Sequence, residues 1–287
     1  MWVRSTPSTE SQHERPSWKA WAMQRTKSGE FNWVDLSTKD FEDQSAFYVG
    51  LFGWTFDDMP YGNGQTYRMF KKDGHSVAGM SQLPPEVLAS GAPTMWNNYL
   101  ATDDIDAVVA KAERLGATVV FPPGDVPGSG RIAAIQDPTG GFIWFWVPNT
   151  PDATMEYLMP GMLSWNDLAT REPEKAADFY TKLLGWEISP QDNQTMPYWQ
   201  VNVDGVGEGG IMPMPDMVPE QVRAFWTPYF GTVDVNASVA KVVELGGSVQ
   251  APPVQVDDML IFAVVADPAG AAFCLLQPLG PMAWPAS

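Results

Sequence analysis

Residues 164–186 read SWNDLATREPEKAADFYTKLLGW, and residues 32–54 read NWVDLSTKDFEDQSAFYVGLFGW. At a spacing of 132, positions 33–54 and 165–186 share Trp, Asp, Leu, Thr, Glu, Phe-Tyr, Leu and Gly-Trp, ten identities in 22 positions. Average residue frequencies would supply roughly one or two. The chain therefore contains an internal duplication. It resumes downstream at a spacing of 130, where Trp96, Tyr99, Asp104, Lys111, Leu115 and Gly116 are answered by Trp226, Tyr229, Asp234, Lys241, Leu245 and Gly246. Pro122 and Pro123 answer Pro252 and Pro253, and Asp137, Pro138 and Gly140 answer Asp267, Pro268 and Gly270.

Each half has an inner rhythm. FNWVDLST alternates as a strand does, and DFEDQSAFYVGLFG carries apolar residues at helical spacing before a glycine stop. WTFDD, QTYRMFKKDG and HSVAGMSQL then read as three short strands parted by Gly, Pro and Asn turns. The cycle restarts at MWNNYLAT with the helix DIDAVVAKAERLGA and the strands TVVFPP, GRIAAIQDP and GFIWFWVP. The chain thus reads as an α+β fold of four βαβββ modules, none able to cover its own apolar sheet face, pairing into curved sheets around cavities. The Pro-rich stretch PNTPDATMEYLMPG at 148–161 separates the halves. The expected boundaries are a loose tail at 1–29, a first domain at 30–148 (modules 30–93 and 94–148), a linker at 149–161, a second domain at 162–280 (modules 162–219 and 220–280) and a tail at 281–287.

At 287 residues the chain suffices for two domains, each with its own core. A formal net charge of −17 opposes binding to nucleic acid or anionic membranes, and no segment has the apolar length of a signal or a membrane span. The reading is a soluble, cytoplasmic protein. One cysteine, Cys274, excludes an internal disulfide, and two histidines, His13 and His75, exclude a site built from several imidazoles within one chain.

These residues resemble the vicinal oxygen chelate superfamily of glyoxalases, bleomycin-resistance proteins and extradiol dioxygenases, and within it the tandem two-domain glyoxalase-like proteins of actinobacteria. The resemblance spans roughly 30–279. It rests on the FY-x-x-L-x-G-W element in both halves, the helix entries DDIDA and VDVNA, and the Asp-Pro-x-Gly turns before the last strands. It implies two glyoxalase-like domains. In metal-binding members it also implies ligands on the first strands and the last strand of a module pair. Carried over one position at a time, these fall on Trp33 and Trp165, near Asn97 and Pro228, and on Trp144 and Cys274. Only Cys274 is of a ligating type and it lacks partners; the fourth strands add His75 and Glu208, in different halves. No metal and no cofactor are expected.

Strand alternation puts Trp33 with Asp35, Trp165 with Asp167, Asn97 with Tyr99, and Trp144 with Trp146. Together with Glu208 and Tyr229 these residues line the expected ligand sites, suited to a flat apolar or aromatic molecule or an organic cation. The tryptophans read equally as plugs filling the space of a lost metal. Asp35 and Asp167 read either as general bases of a lyase, isomerase or oxygenase, or as carboxylates held by neighbouring donors. A metal enzyme with atypical ligands is a further alternative. His75, the acidic run Asp103, Asp104 and Asp106, and GVGEGG at 205–210 read as structural. Met196, Met212, Met214 and Met217 with Trp199 and Trp226 mark either an adaptable mouth over a second cavity or a homodimer face.

Overall fold

The computed structural model describes residues 27–61, 64–150, 159–191 and 197–280. The expected N-terminal tail up to residue 26, most of the linker, Met196 and the C-terminal tail lie outside these. The first module runs β1 (Phe31–Thr38), α1 (Phe41–Phe52), β2 (Thr55–Tyr61), β3 (Gln65–Lys72) and β4 (His75–Gln82). A short helix that the sequence reading did not foresee, α2 (Pro85–Ala89), precedes the second module, in which Pro85 takes a first-turn position where its missing N–H costs nothing. That module comprises β5 (Met95–Ala101), α3 (Ile105–Arg114), β6 (Thr118–Val126), β7 (Gly130–Gln136) and β8 (Phe142–Pro148).

The third module holds β9 (Leu163–Thr170), α4 (Pro173–Leu184), β10 (Glu187–Gln191), β11 (Tyr198–Val203) and β12 (Val206–Pro213). The fourth holds β13 (Phe225–Gly231), α5 (Val235–Glu244), β14 (Ser248–Val256), β15 (Leu260–Ala266) and β16 (Ala272–Pro278). Modules pair within each half. The first half forms one eight-stranded sheet in the order β2-β3-β4-β1-β5-β8-β7-β6, and the second forms β10-β11-β12-β9-β13-β16-β15-β14. The joint in each is an antiparallel pair of first strands, with Trp33 opposite Tyr99 and Asp35 opposite Asn97 in one, and Trp165 opposite Tyr229 and Asp167 opposite Thr227 in the other. The result is an α+β fold of two curved sheets with few helices, as the sequence predicts. No described helix is long and apolar enough to cross a membrane.

Alternation gives each sheet two faces, and the even positions of β1 and β5 turn toward the other half. Phe31, at a register shift in β1, meets Trp186 and Trp226 with ring centroids 5.9 and 5.2 Å apart. Side chains of the helices reach across as well. Tyr48 of α1 donates to Asp267 Oδ2 at 2.9 Å and accepts from Trp96 Nε1 at 2.9 Å. Its counterpart Tyr180 of α4 donates to Asp137 Oδ2 at 2.8 Å and accepts from Trp226 Nε1 at 3.1 Å. The other oxygen of each aspartate closes its own turn, Asp137 Oδ1 on the amides of Thr139 and Gly141 and Asp267 Oδ1 on those of Ala269 and Ala271.

The Gly-Trp ending completes the lock. Gly53 and Gly185 take left-handed backbone, φ 66° and 75°, a conformation glycine adopts without penalty. The chain then turns so that Trp54 Nε1 donates to Gly161 O at 2.7 Å and Trp186 Nε1 donates to Gly29 O at 2.8 Å. Both bonds reach across to the segment that leads into the opposite half's first strand. The repeated FY-x-x-L-x-G-W is therefore the seam between halves. Trp226, read from the sequence as part of a loop mouth, is buried in that seam, because β13 carries it on the same face as Leu168 and away from Tyr229.

Candidate functional site

On the opposite face of the first sheet, Asp35 is 6% exposed and is surrounded by donors. Its Oδ1 accepts from Asn97 Nδ2 at 2.8 Å, and its Oδ2 accepts from the hydroxyls of Tyr99 at 2.9 Å and Tyr67 at 3.3 Å. Tyr67 in turn accepts from Trp33 Nε1 at 2.8 Å. The second half repeats the arrangement. Asp167 Oδ1 accepts from Tyr198 at 2.7 Å and from Trp165 Nε1 at 3.0 Å, the same indole N–H also reaching the Tyr198 hydroxyl at 2.8 Å. Tyr229 adds a further hydrogen bond to Asp167.

Burial pushes both carboxyls above the ordinary carboxylate range, and the surrounding donors pull part of the way back: Asn97, Tyr99 and Tyr67 for Asp35, and Tyr229, Tyr198, Trp165 and the Gly210 amide for Asp167. Each aspartate is thus a satisfied but desolvated acceptor. Burial likewise holds the phenols of Tyr198 and Tyr229 far above their usual range, with Asp167 adding to it, so both act as donors.

Tyr67 and Tyr198 are absent from the residues singled out by sequence, yet a signal existed. At a spacing of 131, Tyr67, Asp73, Gly74 and Gly79 are answered by Tyr198, Asp204, Gly205 and Gly210. Gly79 and Gly210 sit beneath the two phenols, where any Cβ would overlap the hydroxyl group. A glycine on the fourth strand is what lets the third-strand tyrosine lie across to the aspartate. Gly207 and Gly209 permit close approaches of the Trp165 ring and of the Asn166 carbonyl, and residues 206–210 of GVGEGG lie within β12.

The wall of rings around Trp144 belongs to the first half, the second pairing only Tyr229 with Phe262 among the described residues, centroids 6.0 Å apart at 50°. Trp144 of β8 stacks on Tyr99 with centroids 5.5 Å apart at 23°, and Phe121 and Phe142 flank it at 5.5 and 5.7 Å. Trp146 follows on the same face. At a spacing of 130 the second half has Cys274, Ala251, Ala272 and Leu276 in these places. Two expectations are corrected. Pro228 is not the counterpart of Asn97; Thr227 is, and Pro228 answers Asn98 on the other face. Glu208 does not join the Asp167 cluster, since the register shift between β11 and β12 turns it to the seam, where Oε2 accepts from the Phe31 amide at 3.3 Å.

The positions that hold metal in the wider superfamily do not fit one here. Indole rings at Trp33, Trp144 and Trp165 offer no lone pair to a metal, and burial pushes the Cys274 thiol up, away from the ligating thiolate. Among the described residues no three His, Cys, Asp or Glu side chains gather as a metal cluster. His75 opens β4 at an exposed position, and Asp104 caps α3 by accepting from the Ala107 amide at 2.9 Å. A surface hollow of about 240 Å³ beside the start of α3, lined by Thr102, Asp103, Asp104, Lys111 and Leu183 among others, includes none of the candidate site residues. The first half's aromatic face brings Trp33, Asp35, Tyr67, Asn97, Tyr99 and Trp144 together, whereas the acids and the lysine of that hollow are exposed surface groups at a helix start.

Comparison with known proteins agrees with this architecture. Residues 30–145 match the family described as the glyoxalase/bleomycin resistance protein/dioxygenase superfamily, and residues 166–276 match the glyoxalase-like domain. CFP32 of Mycobacterium tuberculosis, provisionally named a glyoxylase, is 38% identical over 256 residues, covering 88% of this chain and 96% of that protein. The anthracycline biosynthesis protein DnrV of Streptomyces peucetius is 32% identical over 277 residues, covering 89% and 95%. The Mn(II)-bound glyoxalase from Novosphingobium aromaticivorans superposes with a TM-score of 0.60 at 17% identity, covering 89% of this chain and 84% of that one, a likeness of fold. The chain belongs to the glyoxalase/bleomycin resistance protein/dioxygenase superfamily, as a tandem of two glyoxalase-like domains.

Proposed function

We propose that this protein binds a flat, apolar or aromatic small molecule on the tryptophan-rich face of its first half, without the metal used elsewhere in the superfamily. One observation carries the reading: Trp144, Tyr99, Phe121 and Phe142 form a half-open aromatic wall beside the buried carboxylate of Asp35. Stacking on such a wall is favourable for planar rings. The name of a relative, an anthracycline biosynthesis protein, supports the same class, since anthracyclines are planar fused aromatics. The test is a fluorescence titration of the 13 tryptophans with a panel of planar aromatics that includes an anthracycline. Saturable quenching that is lost in Trp144→Leu is expected, and no quenching by any compound at high micromolar concentration would overturn the proposal.

A second reading makes Asp35 or Asp167 the general base of a lyase, isomerase or oxygenase. It is favoured by the upward push that burial gives both carboxyls, which brings a base nearer neutrality. If Asp35→Asn and Asp167→Asn leave turnover of every converted substrate unchanged, that reading is excluded.

A further inference from the structure

We infer that the two concave faces are unequal: the first half alone holds the ligand, and that ligand is a planar aromatic bearing a hydrogen-bond donor that engages the Asn97 side-chain carbonyl. The inference deepens the binding function proposed above and rests on it.

Asn97 is 5% exposed. Both of its side-chain bonds run through Nδ2, to Asp35 Oδ1 at 2.8 Å and to Ser37 Oγ at 2.8 Å. A carboxylate can only accept, so this contact fixes the amide with Nδ2 toward Asp35 and Oδ1 turned away from it. Oδ1 is then an acceptor with no hydrogen bond spent on it, on the same strand face as the Tyr99 ring that stacks on Trp144. The Trp144 indole N–H, in the same wall, is buried without an acceptor among the described residues. A buried donor left without a partner calls for an explanation, and a ligand that also carries an acceptor, as a phenolic oxygen does, supplies one.

The second half lacks this equipment. Thr227 stands where Asn97 does and Ala169 stands where Ser37 does, so neither the amide nor its second partner is present. Cys274, Ala251 and Ala272 replace three rings of the wall. The Trp165 indole N–H is shared between Asp167 and Tyr198, so the indole lies against the carboxylate, and its ring edge packs on Gly207. The second face keeps the Trp-Tyr-Asp cluster and a tilted Tyr229–Phe262 pair but lacks both the stacked Trp144 group and the spare acceptor. The Asn97 acceptor, backed by the negative charge of the already engaged Asp35, selects a donor on the ligand, either a phenolic hydroxyl or an ammonium group, and rejects a ring that carries neither.

Calorimetry with three probes tests this: 2-naphthol, 2-(aminomethyl)naphthalene and 2-methoxynaphthalene. The expected result is one molecule per chain, with at least one donor probe binding about tenfold tighter than the methoxy compound, the gain of one buried hydrogen bond. The stronger of the two donor probes identifies the donor. In Asn97→Leu that preference collapses to near unity. Trp144→Cys, which installs the second half's residue, and Trp144→Leu abolish binding of all three probes while near-ultraviolet circular dichroism stays native. Phe262→Leu, which removes the ring beside Tyr229 and Cys274 on the second face, changes nothing. Equal binding of all three probes to the unaltered protein would overturn the donor assignment and leave the stacking function standing. Two molecules per chain, or binding that survives both Trp144 variants, would overturn the assignment to the first half. Failure of every probe to bind would overturn the binding function itself.

Discussion

Asp35 and Asp167 are held where a carboxylate is least welcome, and the sign of their effect on stability follows. Burial raises each above its unfolded-state value, so the folded protein binds the proton more tightly than the unfolded chain does. Below the unfolded value both states are protonated and the aspartates cost nothing. As pH rises through the interval up to the folded value, stability falls, and the loss is complete above it. Asp35→Asn should therefore raise the melting temperature at pH 7 by the equivalent of about 1 kcal/mol, and the gain should fade toward pH 4. Thermal melts across that range check it; a loss of stability at pH 7 would mean that the carboxylate serves the fold. The glycine beneath Tyr67 gives a second residue-scale prediction. In Gly79→Ala the new methyl displaces the phenol that joins Trp33 to Asp35. The expected cost is about 2 kcal/mol by chemical denaturation, and Gly210→Ala should match it through Tyr198.

Among the elements, the β2–β3 hairpin is fastened to the first turn of α1 by Arg68. Arg68, buried on β3, donates to Asp58 at 2.7 and 2.8 Å and to Glu42 at 3.0 and 3.3 Å, and its guanidinium lies 3.9 Å from the Phe56 ring centre and 4.7 Å from that of Phe41. Glu42 stands in the first turn of α1, so the arginine ties hairpin to helix. Because both acids are solvent-exposed, the ion pairs are screened, and Arg68→Met should cost only about 1–2 kcal/mol. Arg68 holds the Asp58 carboxyl below the usual range, so its share of stability is present above the unfolded value and is lost as pH falls through the folded one. The melting deficit of the variant should accordingly shrink in acid.

Nothing in the repeat announced this staple, since Trp199 stands at the matching place in the second half. The βαβββ order was legible because strand and helix periods alternate cleanly and the Asp-Pro-x-Gly turns are local chemistry. The clustering of Trp33 with Asp35, and of Asn97 with Tyr99, was legible because side chains on a strand share a face at every second residue. Three things were not. Tyr67 reaches Asp35 only across β4, a contact between strands that no single segment encodes. The bulge that turns Glu208 away from Asp167 changes a face without changing composition. The face of α1 that carries Tyr48 packs on Trp54 and Trp96 of its own half and also reaches Asp267 of the other, which a helical pattern cannot show.

That reach of helix side chains across the seam governs the molecule as a whole. Tyr48 bridges Trp96 of its own half to the Asp267 turn of the other, and Tyr180 does the reverse with Trp226 and Asp137. Phe52 and Trp54 meet Phe230 at 5.3 and 5.7 Å, so apolar contacts run along the same seam. Two domains joined only by a linker would melt separately; two that fill each other's cores should melt together. Scanning calorimetry should therefore show one transition. Tyr48→Phe leaves the Trp96 indole and the Asp267 carboxylate each short of a partner, at a cost of about 1–3 kcal/mol. It should lower that one transition by about 2–4 °C per kcal/mol without splitting it, and Tyr180→Phe should do the same from the other side. If either hydroxyl, once removed, lowered one of two resolved transitions and left the other in place, the halves would be independent domains and the repeated Phe-Tyr would need another explanation.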